Sequence, residues 1–171
     1  MNDPERQSEV TDLVEAHYAE LYRYAYRLTG SQSDAEDLAQ QAFLAALQKL
    51  GQLREKDRAR PWLFAIVRNG FLKLRRDQSN HRNVSLEDSG EPSDVLSEVP
   101  ELTGEELSTV LDELPEEFRV PLVLFYFEEM SYRDIASVLE LPEGTVMSRL
   151  SRAKSHLRQR LGERQPTASA K

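Results

Sequence analysis

The stretch SYRDIASVLELPEGTVMSRLSRAK, from Ser131 to Lys154, restricts the fold more than any other part of the chain. Ile135, Ala136 and Leu139 recur three or four residues apart, and Val146 and Leu150 repeat that spacing beyond Pro142. The segment therefore reads as two short helices that pack apolar stripes together across a tight turn, a helix-turn-helix. The second helix keeps a polar face with Thr145, Ser148, Arg149, Ser151, Arg152 and Lys154. These side chains suit phosphates and base edges when a helix lies in a major groove.

Helical periodicity organises most of the remaining chain. Val10, Leu13, Val14, His17, Tyr18, Leu21, Ala25 and Leu28 predict a long helix that Gly30 stops. Ser33, with Glu36 three residues on, predicts the N-cap of a second helix through Ala35, Leu38, Ala39, Ala42, Ala46 and Leu47 to Gly51. Pro61 is expected to open a third helix, in which Trp62, Leu63, Ile66 and Val67 share space with Arg68, Lys73, Arg75 and Arg76. From Asn80 to Gly104 the periodicity gives way to Ser, Pro, Gly and acids, a composition that buries too little apolar area to offset its ordering entropy. Helical spacing resumes at Leu107, breaks at Pro115 and continues through Phe118 to Phe125. The fold class expected is all-α: two small helical domains at 1–80 and 105–161, a flexible acidic linker at 81–104 and a disordered tail at 162–171.

The net charge of -8 conceals strong blocking by segment. Residues 1–50 hold 4 basic and 9 acidic side chains, and residues 51–82 hold 9 basic and 3 acidic. Residues 83–118 hold 12 acids and no Lys or Arg, whereas residues 119–171 hold 9 basic and 6 acidic. Two cationic patches are thus separated by an anionic spacer. Local potential governs contact with a polyanion, because salt screens exposed charges beyond about 8 Å at physiological ionic strength.

Several function classes are disfavoured. The chain has no Cys, which excludes disulfides, thiolate zinc sites and cysteine nucleophiles. No window approaches the roughly 20 apolar residues of a membrane span, and the N-terminus lacks a basic, apolar leader pattern, so a cytoplasmic location without membrane insertion is expected. His17, His81 and His156 are scattered, with no partners at metal-ligand spacing, and no glycine-rich phosphate loop is present. Neither an enzyme nor a bound cofactor or metal is expected.

Three motifs add a family resemblance: SDAEDLAQQAFLAAL at 33–47, RPWLFAIVRNGFLKLRR at 60–76, and the run from Leu114 to Leu157 that contains the helix-turn-helix. In this order, in a chain of this length, they resemble the extracytoplasmic-function (ECF) RNA polymerase sigma factors of the sigma-70 family. The resemblance covers roughly residues 10–80 and 105–161. It implies a region 2 domain that binds core RNA polymerase and the minus-10 element, and a region 4 domain that binds the minus-35 element. Promoter recognition and DNA melting at genes that answer stress or envelope signals would follow.

The resemblance also assigns residues. Asp34, Asp37, Leu38, Gln40, Gln41 and Phe43 fall on the helix that docks on the clamp helices of the largest polymerase subunit, with Gln41 standing where many relatives have an acid. The loop 51–60 and the next helix would capture a flipped minus-10 base, with Asn69 at a base-contacting position. Lys56, Arg58, Arg60, Arg68, Lys73, Arg75 and Arg76 are the phosphate-neutralising cations there. Trp62 belongs to the same stretch, although a Trp at helical spacing with Ile66 is more often core than stacking platform. In the minus-35 reader, Ser148, Ser151 and Arg152 fall where bases are read, and Thr145, Arg149 and Lys154 where backbone is gripped. Met147 and Ser151 depart from the family pattern. Region 4 also docks on the flap of the second-largest subunit, and members of the group are commonly held inactive by an anti-sigma factor. The competing readings are a stand-alone helix-turn-helix regulator, which should carry a ligand or phosphoacceptor domain, and a regulator that binds proteins only.

Overall fold

The computed structural model of the chain describes residues 3–49, 53, 58–79 and 104–164, with side chains described for 8–49, 53, 58–78 and 109–160. Seven helices occupy the described residues: α1 Asp3–Thr29, α2 Gln32–Lys49, α3 Ala59–Ser79, α4 Gly104–Glu113, α5 Glu116–Tyr126, α6 Tyr132–Leu139 and α7 Glu143–Arg164. No strand occurs among them, in line with the all-α expectation. The linker expected over 81–104 lies outside the described residues except for Gly104, where α4 begins. α7 runs on to Arg164, past the start of the tail expected at 162, and residues 165–171 lie outside the described residues.

The N-terminal unit, α1 to α3, is built on small residues. Ala35, Ala39, Ala42 and Ala46 form a fully buried stripe on α2 that lets it lie close to Leu21, Tyr24, Ala25 and Leu28 of α1 and Leu63, Phe64, Val67 and Phe71 of α3. Gly70 tightens the α2–α3 approach, since a Cβ there would stand 2.8 Å from Leu38 Cδ2. Gly30 ends α1 at φ 67°, the left-handed conformation that costs glycine no Cβ clash. The cap of α2 differs from the Ser33 reading. Ser31 supplies it, its hydroxyl accepting from Asp34 N–H at 3.3 Å, because α2 begins at Gln32 and Ser33 already lies inside it.

In the C-terminal unit, α4 to α7, Val110, Leu111, Leu114, Phe118, Leu122 and Val123 pack with Ile135, Val138, Val146, Leu150 and Leu157. Ser131 caps α6, accepting from Asp134 N–H at 3.1 Å. The helix-turn-helix turn passes through Glu140 at φ 55°, with Leu141 N–H donating to Ala136 O at 3.0 Å. The two units share one continuous core, and α3 packs on α6 while α1 packs on α4 and α5.

One side chain fastens this junction. Arg119, only 3% exposed, donates to Leu28 O at 3.1 Å, Asp112 O at 2.7 Å and Leu114 O at 3.3 Å. Those are carbonyls from the C-terminal ends of α1 and α4, which have no intrahelical partners and carry the negative end of each helix dipole. Burial holds the Arg119 pKa below the ordinary guanidinium value, more than the neighbouring Asp112 carboxylate restores it.

Candidate nucleic-acid and polymerase interface

Three helical faces carry the residues singled out by sequence. On α2, the alanine stripe turned inward leaves Asp37, Gln40 and Gln41 exposed and Asp34 half-buried. Leu38 and Phe43, expected on the docking face, are core residues instead, at 4% and 8% exposure. The reason is geometric: both fall on the edges of the alanine stripe, where Leu38 fills the space over Gly70 and Phe43 stacks on Tyr18 at 6.1 Å. The apolar side chains of α2 that do face outward are Leu47, 39% exposed, and Leu44, 60% exposed, the latter missed by the sequence reading although the same helical wheel places it opposite Ala42 and Ala46. A cleft beside this face is lined by Asp34, Asp37 and Gln41 of α2 and by Lys73 and Asp77 of α3.

The second face is α3 and the residue before it. Asn69 is exposed, and Arg68 Nη1 donates to its Oδ1 at 3.2 Å. Lys73, Arg75 and Arg76 are exposed further along, and Lys56 lies outside the described residues. Trp62 is half-buried and packed against the core. Most informative are the partners of the other cations. Arg58 Nη1 stands 3.9 Å from Asp134, Arg60 Nη2 donates to Glu128 O at 2.8 Å and Arg75 Nε donates to Glu116 at 2.8 Å. These three partners belong to the C-terminal unit, while Arg60 Nε also donates to Glu20 of α1 at 2.9 Å. Glu128 itself is 5% exposed and receives Arg27 Nη1 at 3.0 Å, while Arg27 lies over the Phe127 ring at 4.5 Å. Burial pushes the Glu128 carboxyl above the usual carboxylate range, outweighing the opposing pull of Arg27 and Arg60. Beneath the junction the Tyr24 hydroxyl is fully buried without a hydrogen-bond partner, and burial raises its pKa.

The third face is α7. Val146, Leu150, Ala153 and Leu157 turn inward, which leaves Thr145, Ser148, Arg149, Ser151, Arg152 and Lys154 half-buried on the flanks and outer side. Arg149 reaches Glu117 at 3.9 Å, and the Lys154 ammonium sits 5.5 Å from the Tyr126 ring centroid. Met147 is 53% exposed. Among the described residues no group of His, Cys, Asp and Glu could hold a metal ion, and no helix is long and apolar enough to cross a membrane.

Comparison with known proteins matches residues 13–81 to Sigma-70 region 2 and residues 104–157 to Sigma-70 region 4. The chain is 36% identical over 163 residues to the ECF RNA polymerase sigma factor SigL of Mycobacterium tuberculosis, covering 88% of each chain. It is 35% identical over 158 residues to SigE of Mycolicibacterium smegmatis, covering 89% of this chain but only 61% of that longer relative. Among solved structures, the sigma factor RpoE of Bartonella quintana, bound to the anti-sigma factor NepR, superposes with a TM-score of 0.69 at 25% identity, over 93% of this chain and 98% of that one. CnrH, in complex with the cytosolic domain of CnrY, shares the fold at a TM-score of 0.67 and 23% identity, over 93% and 91% of the two chains.

Proposed function

Because the chain belongs to the ECF RNA polymerase sigma factors of the sigma-70 family, we propose that it binds core RNA polymerase and directs the enzyme to promoters bearing two separated elements. In this reading residues 1–80 dock on the polymerase through the exposed α2 face of Asp37, Gln40, Gln41 and Leu44, and open the minus-10 element along α3. Residues 105–161 grip the minus-35 element with α7. The chain acts in the cytoplasm, performs no chemistry of its own, and lends specificity to the enzyme it joins.

The observation that carries the proposal is the company kept by the α3 cations. Asp134 and Glu116 stand against Arg58 and Arg75 as carboxylates, and the Glu128 carbonyl stands against Arg60. Each is an oxygen acceptor of the kind a phosphate would supply, so the cations of the α3 track are placed to bind a row of acceptor oxygens. For a DNA strand to take their place, the C-terminal unit must leave α3, which frees it to reach a second, upstream site. The complex of RpoE with the anti-sigma factor NepR supplies a model for a partner of such a chain, and we extend that class of partner to this one.

Run-off transcription with purified core polymerase on fragmented genomic DNA tests the proposal. Core plus this chain is expected to start RNA at a discrete set of sites sharing two motifs. A set of start sites identical to that of core alone would refute it.

A further inference from the structure

In its first two turns the outward side of α7 carries few long side chains. Opposite the buried stripe of Val146, Leu150, Ala153 and Leu157 lie Gly144, Ser148 and Ser151, with Met147 on its exposed flank and Arg152 further along. At Gly144 a Cβ would meet nothing within 4 Å, so the backbone there is open to close approach. The Ser148 hydroxyl donates to Thr145 O at 3.1 Å, which spends its hydrogen inside the helix and leaves its oxygen as an acceptor. The nearby cations Arg149 and Lys154 lean away toward Glu117 and Tyr126. What rises from the first two turns is Met147, 53% exposed and the one exposed large apolar side chain among the described residues of α6 and α7.

A single exposed apolar residue is ordinary on a protein surface. Here it occupies the N-terminal part of the second helix of a helix-turn-helix, the part that meets base edges in the major groove. Every base pair shows donors or acceptors there, but only thymine shows a methyl group. A thioether chain can donate no hydrogen bond to guanine or phosphate, and its polarisable, unbranched end adapts to an apolar surface. We infer that Met147 is a specificity-determining residue that packs on the C5-methyl of a thymine in the upstream element. This rests on the reading of α7 as the minus-35 reader and adds to it the base being read and the group that reads it.

The test uses the chain assembled with core polymerase. Promoter duplexes selected from a pool randomised across the upstream element are expected to show thymine, on one strand, at the position facing Met147. Replacing that thymine with deoxyuridine removes the methyl and keeps the base pair. Binding is expected to weaken about three- to fourfold, the worth of one buried methyl-sized group. Met147→Ala should bind deoxyuridine and thymine duplexes equally, and Met147→Lys should select a different base at that position. If scrambling the whole upstream element abolishes binding while deoxyuridine has no effect, the Met147 inference is wrong and the α7 reading stands. If scrambling has no effect, both are wrong.

Discussion

Arg119→Met is the substitution whose cost the structure defines most closely. Methionine keeps an unbranched apolar stem and removes every donor, so the carbonyls of Leu28, Asp112 and Leu114 lose the guanidinium. The bonds to Leu28 O and Leu114 O are buried, whereas that to Asp112 O is partly open to water. Stranding two buried carbonyls costs about 1–3 kcal/mol each, or roughly 2–6 kcal/mol in all. Against this, a cation whose pKa is depressed by burial is no longer desolvated, which offsets part of the loss. The ion pair with Asp112 adds little, because that carboxylate is 59% exposed. The expected net loss is about 2–3 kcal/mol, a fall in melting temperature of roughly 4–12 °C for a chain of this size. Urea unfolding followed by circular dichroism measures it, with Arg119→Lys expected to fall between the two because an ammonium keeps the charge but not the fork of donors. A loss for Arg119→Met below about 0.5 kcal/mol would refute the claim that these carbonyls depend on Arg119.

Glu128→Gln tests the buried carboxylate at the junction. Since burial raises its pKa, the folded chain binds this proton more readily than the unfolded one, so the group's contribution is fully present below the ordinary carboxylate pKa and is lost as pH rises through the raised value. The Gln variant should therefore be at least as stable as the native chain at pH 7 and show a shallower decline from acid to neutral pH in urea titrations; a clear loss at pH 7 would mean that the Arg27 pair dominates instead. Tyr24→Phe removes a buried hydroxyl that has no partner and is expected to be neutral or stabilising by up to about 1 kcal/mol in thermal melts. Glu140→Gly relieves a non-glycine residue at φ 55° and should raise stability by about 0.5–1 kcal/mol by the same measurement, whereas Gly30→Ala, at φ 67°, should lower it by about 1 kcal/mol.

Local pattern and long-range pairing differed sharply in how far sequence revealed them. The helix-turn-helix was legible because Ile135, Leu139, Val146 and Leu150 lie on strict helical spacing around Pro142. Helix ends were read less well. Ser31, not Ser33, caps α2, and α3 starts at Ala59, two residues before Pro61. On α2 the residue types of Leu38 and Phe43 suit a docking anchor as well as a core. Only the close approach at Gly70 and the stacking on Tyr18 decide for the core. Arg119 and Glu128 left no signal at all, since their partners Leu28 and Arg27 lie 91 and 101 residues away in the chain. The α3 cations were found as a group by their charge run, but their engagement with Glu116, Asp134 and the Glu128 carbonyl depends on how the two units pack, which periodicity does not encode.

Strand separation is the step that distinguishes a polymerase specificity subunit from any other DNA-binding protein with these two faces. Permanganate reactivity of nontemplate-strand thymines just upstream of mapped start sites reads it directly. Reactive thymines are expected when core polymerase and this chain are both present, and none with either alone. Duplex that stays unreactive in the assembled complex, or that opens equally with core polymerase alone, would contradict that expectation.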